Sequence, residues 1–96
     1  MYVAILTSKP HTDALRSATK PRHDAYWDEH LERIKFAGPI LSDDGQTRVG
    51  QILLLDVDDR PTAERIVTDD PFVQAGLFSS WSIQQFRISV RDGRVA

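Results

Sequence analysis

The sequence predicts an α+β domain in which two helices pack on one face of a four-stranded antiparallel sheet. Apolar, β-prone runs and helical patterns alternate in the order β-α-β-β-α-β. The chain has 96 residues, which suffices for one small hydrophobic core. No repeat, linker or low-complexity tract divides it. We therefore interpret residues 1–96 as a single domain and residues 91–96 as a candidate flexible tail.

A strand and a long helix are predicted first. The run from Tyr2 to Thr7 is short, apolar and partly β-branched, which is typical of a buried strand. Pro21 suits the first turn of a helix, where its missing N–H would have no partner in any case. An apolar face follows at spacings of four and three residues: Trp27, Leu31 and Ile34. The helix is therefore expected to begin at Pro21.

A hairpin is predicted after this helix. Ala37-Gly38-Pro39 should end the helix, because glycine and proline are both unfavourable in helix interiors. Ile40-Leu41 then predicts a brief strand, and Asp43-Asp44-Gly45 is a typical turn sequence. The apolar run from Gln51 to Val57 is the strongest strand prediction in the chain.

A short helix and a final strand complete the fold. Pro61 should open the helix, whose inward face carries Ala63, Ile66 and Val67. The last strand is predicted from Trp81 to Val90, with a β-bulge at Gln84-Gln85 because the apolar alternation changes phase there. The elements together predict a ferredoxin-like fold with a four-stranded antiparallel sheet and helices on one face.

The other face of such a sheet is open to solvent. Residues Ile52 to Leu55 are all apolar, so their side chains point to both faces of the sheet. A large exposed apolar patch usually marks an interface or a ligand site. The sequence therefore predicts a homodimer formed through the open sheet face.

Composition argues against several classes of partner. The chain carries 14 acidic and 12 basic side chains with a net charge of -2, so no charge excess favours nucleic acid or an anionic membrane. The strand QILLLDV also lacks the aromatic residues that RNA-binding modules of this topology display. Cysteine is absent and no segment approaches ~20 apolar residues, which favours a cytoplasmic protein without a membrane span.

Cofactors and metals are not predicted either. The chain contains no glycine-rich phosphate loop and no nucleophile-elbow sequence, so nucleotide-dependent chemistry and serine hydrolysis lack a starting residue. His23 and His30 would lie about 10 Å apart along one helix, too far for one metal ion without other ligands. We therefore expect no metal site.

Two residues could carry acid/base chemistry, and each also has a simpler explanation. Pro21 would place His23 in the first turn of a helix, where exposed backbone amides disfavour a cationic imidazole and leave a neutral base. Asp70 before Pro71 is typical of a helix cap, with Gly76 ending the turn. His23 could equally satisfy a helix end, and Asp70 could be a cap alone. The roles are compatible, because one carboxylate can accept hydrogen bonds from an amide and an imidazole together.

Three segments of the chain carry a family resemblance. They are LRSATKPRHDAYW, FAGPILSDDG and DDPFVQAGLF, which in order and separation resemble the YciI family, also called YCII-related domains. The resemblance spans nearly the whole chain. It implies a dimeric α/β barrel in which two ferredoxin-like sheets face each other. It also implies an active centre at His23 and Asp70, with Arg16 at the start of the motif.

The resemblance further implies lyase or dehydrochlorinase-like chemistry on small aromatic compounds. We expect a cofactor-free enzyme with a cleft for a small cyclic ligand, in which His23 moves a proton during elimination or isomerisation and Asp70 orients it. Arg16 would bind an anionic group. Ser79 and Trp81 are further candidates for the pocket rim. The alternative is a non-catalytic dimeric module of the same fold that binds a ligand or assembles with other proteins.

Overall fold

The computed structural model describes all 96 residues and confirms the predicted fold. The main sheet contains β1 (Tyr2–Ser8), β2 (Ile34–Leu41), β3 (Arg48–Leu55) and β4 (Phe78–Gln85). The helices are α1 (Asp13–Asp28), α2 (Arg60–Thr68) and the short α3 (Pro71–Gln74). A separate hairpin, β5 (Val90–Arg91) with β6 (Arg94–Val95), occupies the segment predicted as a tail. The sheet order is β2-β3-β1-β4, with antiparallel pairing throughout. None of the helices has both the length and the apolar character needed to span a membrane.

The first helix begins earlier than predicted. It starts at Asp13, so Pro21 lies inside the helix and His23 lies in its second half, not in its first turn. The predicted start at Pro21 was therefore wrong, and the exposed amides at the start of this helix do not act on His23. An interior proline costs roughly 3 kcal/mol, partly through a lost backbone hydrogen bond. Thr19 and Trp27, on either side of it, are both buried, and Trp27 belongs to the hydrophobic core, so tertiary packing favours a continuous helix.

The helix also ends earlier than predicted, and the next strand is longer. The helix stops at Asp28, whereas Leu31 belongs to a 3-10 turn and Ile34 opens β2. The strand then continues through Ala37-Gly38-Pro39, which was wrongly expected to end a helix. Pro39 is tolerated because β2 lies at the edge of the sheet, where a missing N–H need not break a ladder.

The hairpin between β2 and β3 is confirmed. Gly45 adopts a positive φ of 75°, which a residue without Cβ accommodates easily, and Asp44 accepts a hydrogen bond from the backbone of Gln46. The third strand begins and ends somewhat earlier than the predicted run from Gln51 to Val57.

The last strand of the sheet differs from its prediction. It covers Phe78–Gln85 instead of residues 81–90, and no bulge occurs at Gln84-Gln85. The one irregularity in its pairing with β1 lies at the opposite end, between Thr7 and Ser8. The change of phase in the sequence arises because the strand ends at Gln85 and the chain leaves the sheet.

The hydrophobic core lies between the sheet and the helices. Inward residues of β1 and β3 pack against α2. The predicted inward face of α2 is confirmed, since Ala63, Ile66 and Val67 are 0%, 5% and 1% exposed. Further core residues include Ala4, Leu6, Leu53, Leu55 and Phe72. Because α1 and α3 also pack against each other, this core brings residues near 23 and 70 together.

The sheet face away from the helices is apolar and partly covered by the chain itself. Ile5 and Ile52 are paired neighbours on this face, and Ile5 is 42% exposed. Leu54 points to the same face but is fully buried. The segment after β4 lies nearby, since Ile88 lines one groove with Phe36, the β2 partner of Leu54. Phe36 is itself 46% exposed and Ile52 is half-buried, so the face keeps exposed apolar surface at Ile5 and Phe36.

Candidate active site

His23 and Asp70 lie within hydrogen-bond distance, as predicted. His23 projects from α1, and Asp70 is the N-cap residue of α3. Nδ1 of His23 lies 2.7 Å from Oδ1 of Asp70. The Asp70 side chain is 7% exposed and the His23 side chain 21% exposed. The structure therefore contains a His–Asp pair whose carboxylate is buried and whose imidazole remains accessible.

The carboxylate of Asp70 has three hydrogen-bond partners. Its Oδ1 accepts from the backbone N–H of Phe72 at 2.9 Å, which is the predicted helix cap. Its Oδ2 accepts from Nε1 of Trp27 at 3.0 Å. Since a carboxylate only accepts, we assign the proton of the third contact to Nδ1 of His23. This tautomer leaves Nε2 of His23 with a free lone pair.

Aromatic contacts fix the orientation of the imidazole. The rings of His23 and Phe72 stack with their centroids 3.7 Å apart and their planes at 11°. Trp27 approaches the imidazole edge-on, at 6.4 Å and 67°. Asp70 thus determines which nitrogen is held, while Phe72 determines the plane of the ring. The imidazole is therefore positioned before any ligand binds.

Arg16 lies beside the pair but does not line the cavity described below. Its guanidinium carbon is 4.8 Å from the centroid of the Phe72 ring. Burial lowers the pKa of Arg16, and the positive charge of Arg48 lowers it further, whereas Asp13 and Asp70 act in the opposite direction. Arg16 forms no salt bridge within the chain. Its predicted role in binding an anionic group stays a prediction.

A cavity of about 200 Å³ opens next to His23. Its polar lining residues are His23, Gln51 and Asp70. The apolar lining residues are Trp27, Leu31, Ile34, Ala37, Leu53 and Phe78. An apolar cavity of roughly 150 Å³ admits benzene in another protein, so this one has room for a single substituted ring. The arrangement can hold a compact cyclic compound against a base.

Ser79 and Trp81 lie away from this cavity. Ser79 is exposed, and its hydroxyl donates to the backbone carbonyl of Thr7 at 3.3 Å. Trp81 is 42% exposed and lines a separate groove together with Arg60 and Glu64 of α2. The structure does not bring either residue to His23, and their part in substrate binding stays a prediction.

Two residues of the site, Trp27 and Gln51, were not predicted as site residues from the sequence. Trp27 was interpreted only as part of the apolar face of a helix, although it follows His23 by four residues and carries a side-chain N–H. Gln51 was interpreted as the first residue of a strand. Its polar side chain at the start of an apolar run was the one feature in the sequence that set it apart.

Fold and site together define a small ferredoxin-like domain with a His–Asp pair in the wall of an apolar cavity. Residues 1–87 match the family model described as the YCII-related domain, so the chain belongs to this family. A similar solved structure is 5-chloro-2-hydroxyhydroquinone dehydrochlorinase from Burkholderia phenoliruptrix, in complex with 2,5-dihydroxybenzoquinone. The match has a TM-score of 0.78 and 24% sequence identity, and it covers 91% of this chain and 94% of that chain. At this identity the likeness shows the fold. No curated protein matches the chain.

Proposed function

We propose that the protein is a small cofactor-free enzyme that moves protons on a compact oxygenated ring, in an elimination or isomerisation. The observation that carries the proposal is the hydrogen-bonded pair of His23 and Asp70 in the wall of a ring-sized cavity. A His base needs one nitrogen held and the other free, and the assigned tautomer provides this arrangement. The similar dehydrochlorinase acts on a chlorinated, hydroxylated ring, which suggests the class of substrate.

The chemistry can be written with the residues of this chain alone. On a chlorinated hydroquinone, Nε2 of His23 would take a proton from one hydroxyl group and return it to the carbon that bears chlorine, which gives a ketone tautomer. A second hydroxyl then loses its proton to Nε2 while the C–Cl bond breaks and chloride leaves with the bonding electrons. The sum is loss of HCl, which requires no oxidant. Asp70 stabilises the imidazolium formed in each step.

Chloride release from 5-chloro-2-hydroxyhydroquinone under anaerobic conditions tests the proposal. His23→Ala should lower turnover by about a hundred- to ten-thousandfold, the usual contribution of one positioned acid/base group. His11→Asn is the matched control, because His11 is exposed and has a positive φ that asparagine tolerates. Undiminished chloride release by His23→Ala would overturn the proposal. Binding of a ring without turnover by the wild-type protein would favour the non-catalytic module.

We also propose that the protein forms a homodimer through the open sheet face. The support is the apolar patch on this face, where Ile5 and Phe36 are 42% and 46% exposed and Ile52 is half-buried. A second copy presents the same patch and can bury both. Mass measurement in dilute solution tests this assembly, and a stable monomer would contradict it.

A further inference from the structure

Gln51 occupies a position where packing alone would favour an apolar side chain. It lies on the sheet face that points to the helices, paired with Leu6 of β1 and Pro39 of β2. Its neighbours on this face, Leu6 and Leu53, are 2% and 5% exposed. Placing an amide in such surroundings costs free energy unless the amide is hydrogen-bonded. The presence of glutamine therefore calls for an explanation other than core packing.

The amide of Gln51 has no partner within the protein. The Gln51 side chain takes part in no hydrogen bond within the protein. Every buried side-chain nitrogen and oxygen, however, has a hydrogen-bond partner. The amide atoms of this half-buried residue must therefore be accessible, and Gln51 lines the same cavity as His23. Of the other polar lining groups, Asp70 is bonded to His23, Trp27 and Phe72, and His23 keeps only Nε2 free. Gln51 is left as a free donor and acceptor.

We propose that Gln51 selects the ligand of this cavity by hydrogen bonding to an oxygen substituent on the ring. The inference rests on the proposed function, because it assumes that the ligand of His23 binds in the same cavity. His23 belongs to the helix layer and Gln51 to the sheet layer, so a ring between them is held from two sides. A ring without the oxygen would leave the amide unpaired, which penalises its binding.

Binding of small fluorinated probes tests this selection. The probes are 4-fluorophenol and fluorobenzene, which differ by one hydroxyl group, and ¹⁹F NMR measures their binding. A third probe, 2,5-dihydroxybenzoquinone, contains no fluorine, so its binding is measured by its displacement of 4-fluorophenol. The test variant is Gln51→Met, which keeps the length of the side chain and removes the amide, and Gln51→Leu checks it independently. Gln85→Leu is the matched control, because Gln85 is exposed at the end of β4.

The wild-type protein should bind 4-fluorophenol more tightly than fluorobenzene. Gln51→Met should weaken binding of the two oxygenated probes by about three- to tenfold, the range expected for one hydrogen bond, and should bind fluorobenzene at least as well as the wild type. Gln85→Leu should retain the preference of the wild type. Gln51→Leu should match Gln51→Met.

Other outcomes separate this inference from the proposed function. If the wild type prefers oxygenated rings and the Gln51 variants show the same preference, the role of Gln51 is overturned while the enzyme proposal stands. If Gln51 sets the preference but no ring is turned over, the enzyme proposal fails and the role of Gln51 stands. A wild-type protein that binds none of the three probes contradicts both.

Discussion

Asp59 and Asp70 are both N-cap residues of helices, but their surroundings differ. Asp59 accepts a hydrogen bond from the backbone N–H of Thr62 at 2.8 Å, and Asp70 accepts one from that of Phe72 at 2.9 Å. Each is the second residue of an Asp-Asp pair, and each is followed by proline within two residues. Asp59 is exposed, whereas Asp70 is 5% exposed. The same local motif therefore serves two different environments.

The two carboxylates differ in the hydrogen-bond donors that they receive from other elements of the chain. Besides its cap contact, Asp59 has no side-chain partner on another element; its pKa is lowered chiefly by the hydrogen bond from the backbone of Thr62. Asp70 receives Nδ1 of His23 and Nε1 of Trp27 from α1. A capping sequence thus predicts only a cap. The packing of α1 on α3 brings Asp70 into contact with His23 and Trp27 and makes it part of the candidate site.

Trp27→Phe should lower turnover, because it removes a hydrogen bond to Asp70. The change keeps an aromatic ring and removes the N–H that donates to Oδ2, so Asp70 loses one of its two contacts from α1. Turnover should fall by about three- to tenfold, as expected for one hydrogen bond, with the KM nearly unchanged because the cavity keeps its apolar wall. Steady-state kinetics of chloride release measure this split.

Trp81→Phe is the matched control for this change. Trp81 lies outside the cavity of His23, so its replacement should leave the kcat at the value of the wild type. Equal losses from both variants would indicate that Trp27 acts through general stability and not through Asp70.

Replacing Asp59 should have a smaller effect, which concerns the melting temperature at acidic pH. A lowered pKa in the folded state means that the cap contributes fully above the unfolded pKa of about 4 and loses its contribution as the pH falls through the folded value. Asp59→Asn also caps a helix but does not titrate there. The difference in melting temperature between wild type and Asp59→Asn should therefore change between roughly pH 5 and pH 2. A constant difference across this range would contradict the assigned role of the Asp59 carboxylate.

The elements that were predicted well from the sequence depend on local patterns. The inward face of α2 follows from the spacing of Ala63, Ile66 and Val67, and the hairpin follows from its Asp-Asp-Gly turn. The start of α1 was missed because proline favours the first turn of a helix, while the burial of Thr19 and Trp27 keeps the helix continuous. Tertiary contacts outweighed the local preference.

The candidate site was predictable only in part, for a similar reason. His23 and Asp70 were identified from a family resemblance together with residue chemistry, and their contact is confirmed. Trp27 and Gln51 were missed, because in a sequence a tryptophan on an apolar face and a glutamine at a strand end are both consistent with ordinary packing. Their roles depend on which atoms face Asp70 and the cavity, and these positions are set by the packing of α1 and β3.

The most direct test of a catalytic His–Asp pair compares Asp70→Asn with Asp59→Asn, measuring chloride release and melting temperature on the same samples. Asparagine is a good cap, so both helices keep their first hydrogen bond. Asparagine has one acceptor oxygen, however, so at position 70 it cannot also accept from both His23 and Trp27. The cap and His23 share Oδ1, so an asparagine oxygen that keeps both contacts turns its NH2 group toward the N–H of Trp27. In either orientation the negative charge that stabilises the imidazolium is lost.

We predict that Asp70→Asn loses about a hundred- to ten-thousandfold in turnover, while its melting temperature falls by no more than about 4–8 °C, the effect of one lost hydrogen bond. Asp59→Asn should keep the turnover of the wild type. If Asp70→Asn turned over substrate as fast as Asp59→Asn, Asp70 would be a helix cap alone, and the central claim of a catalytic His–Asp pair would be contradicted.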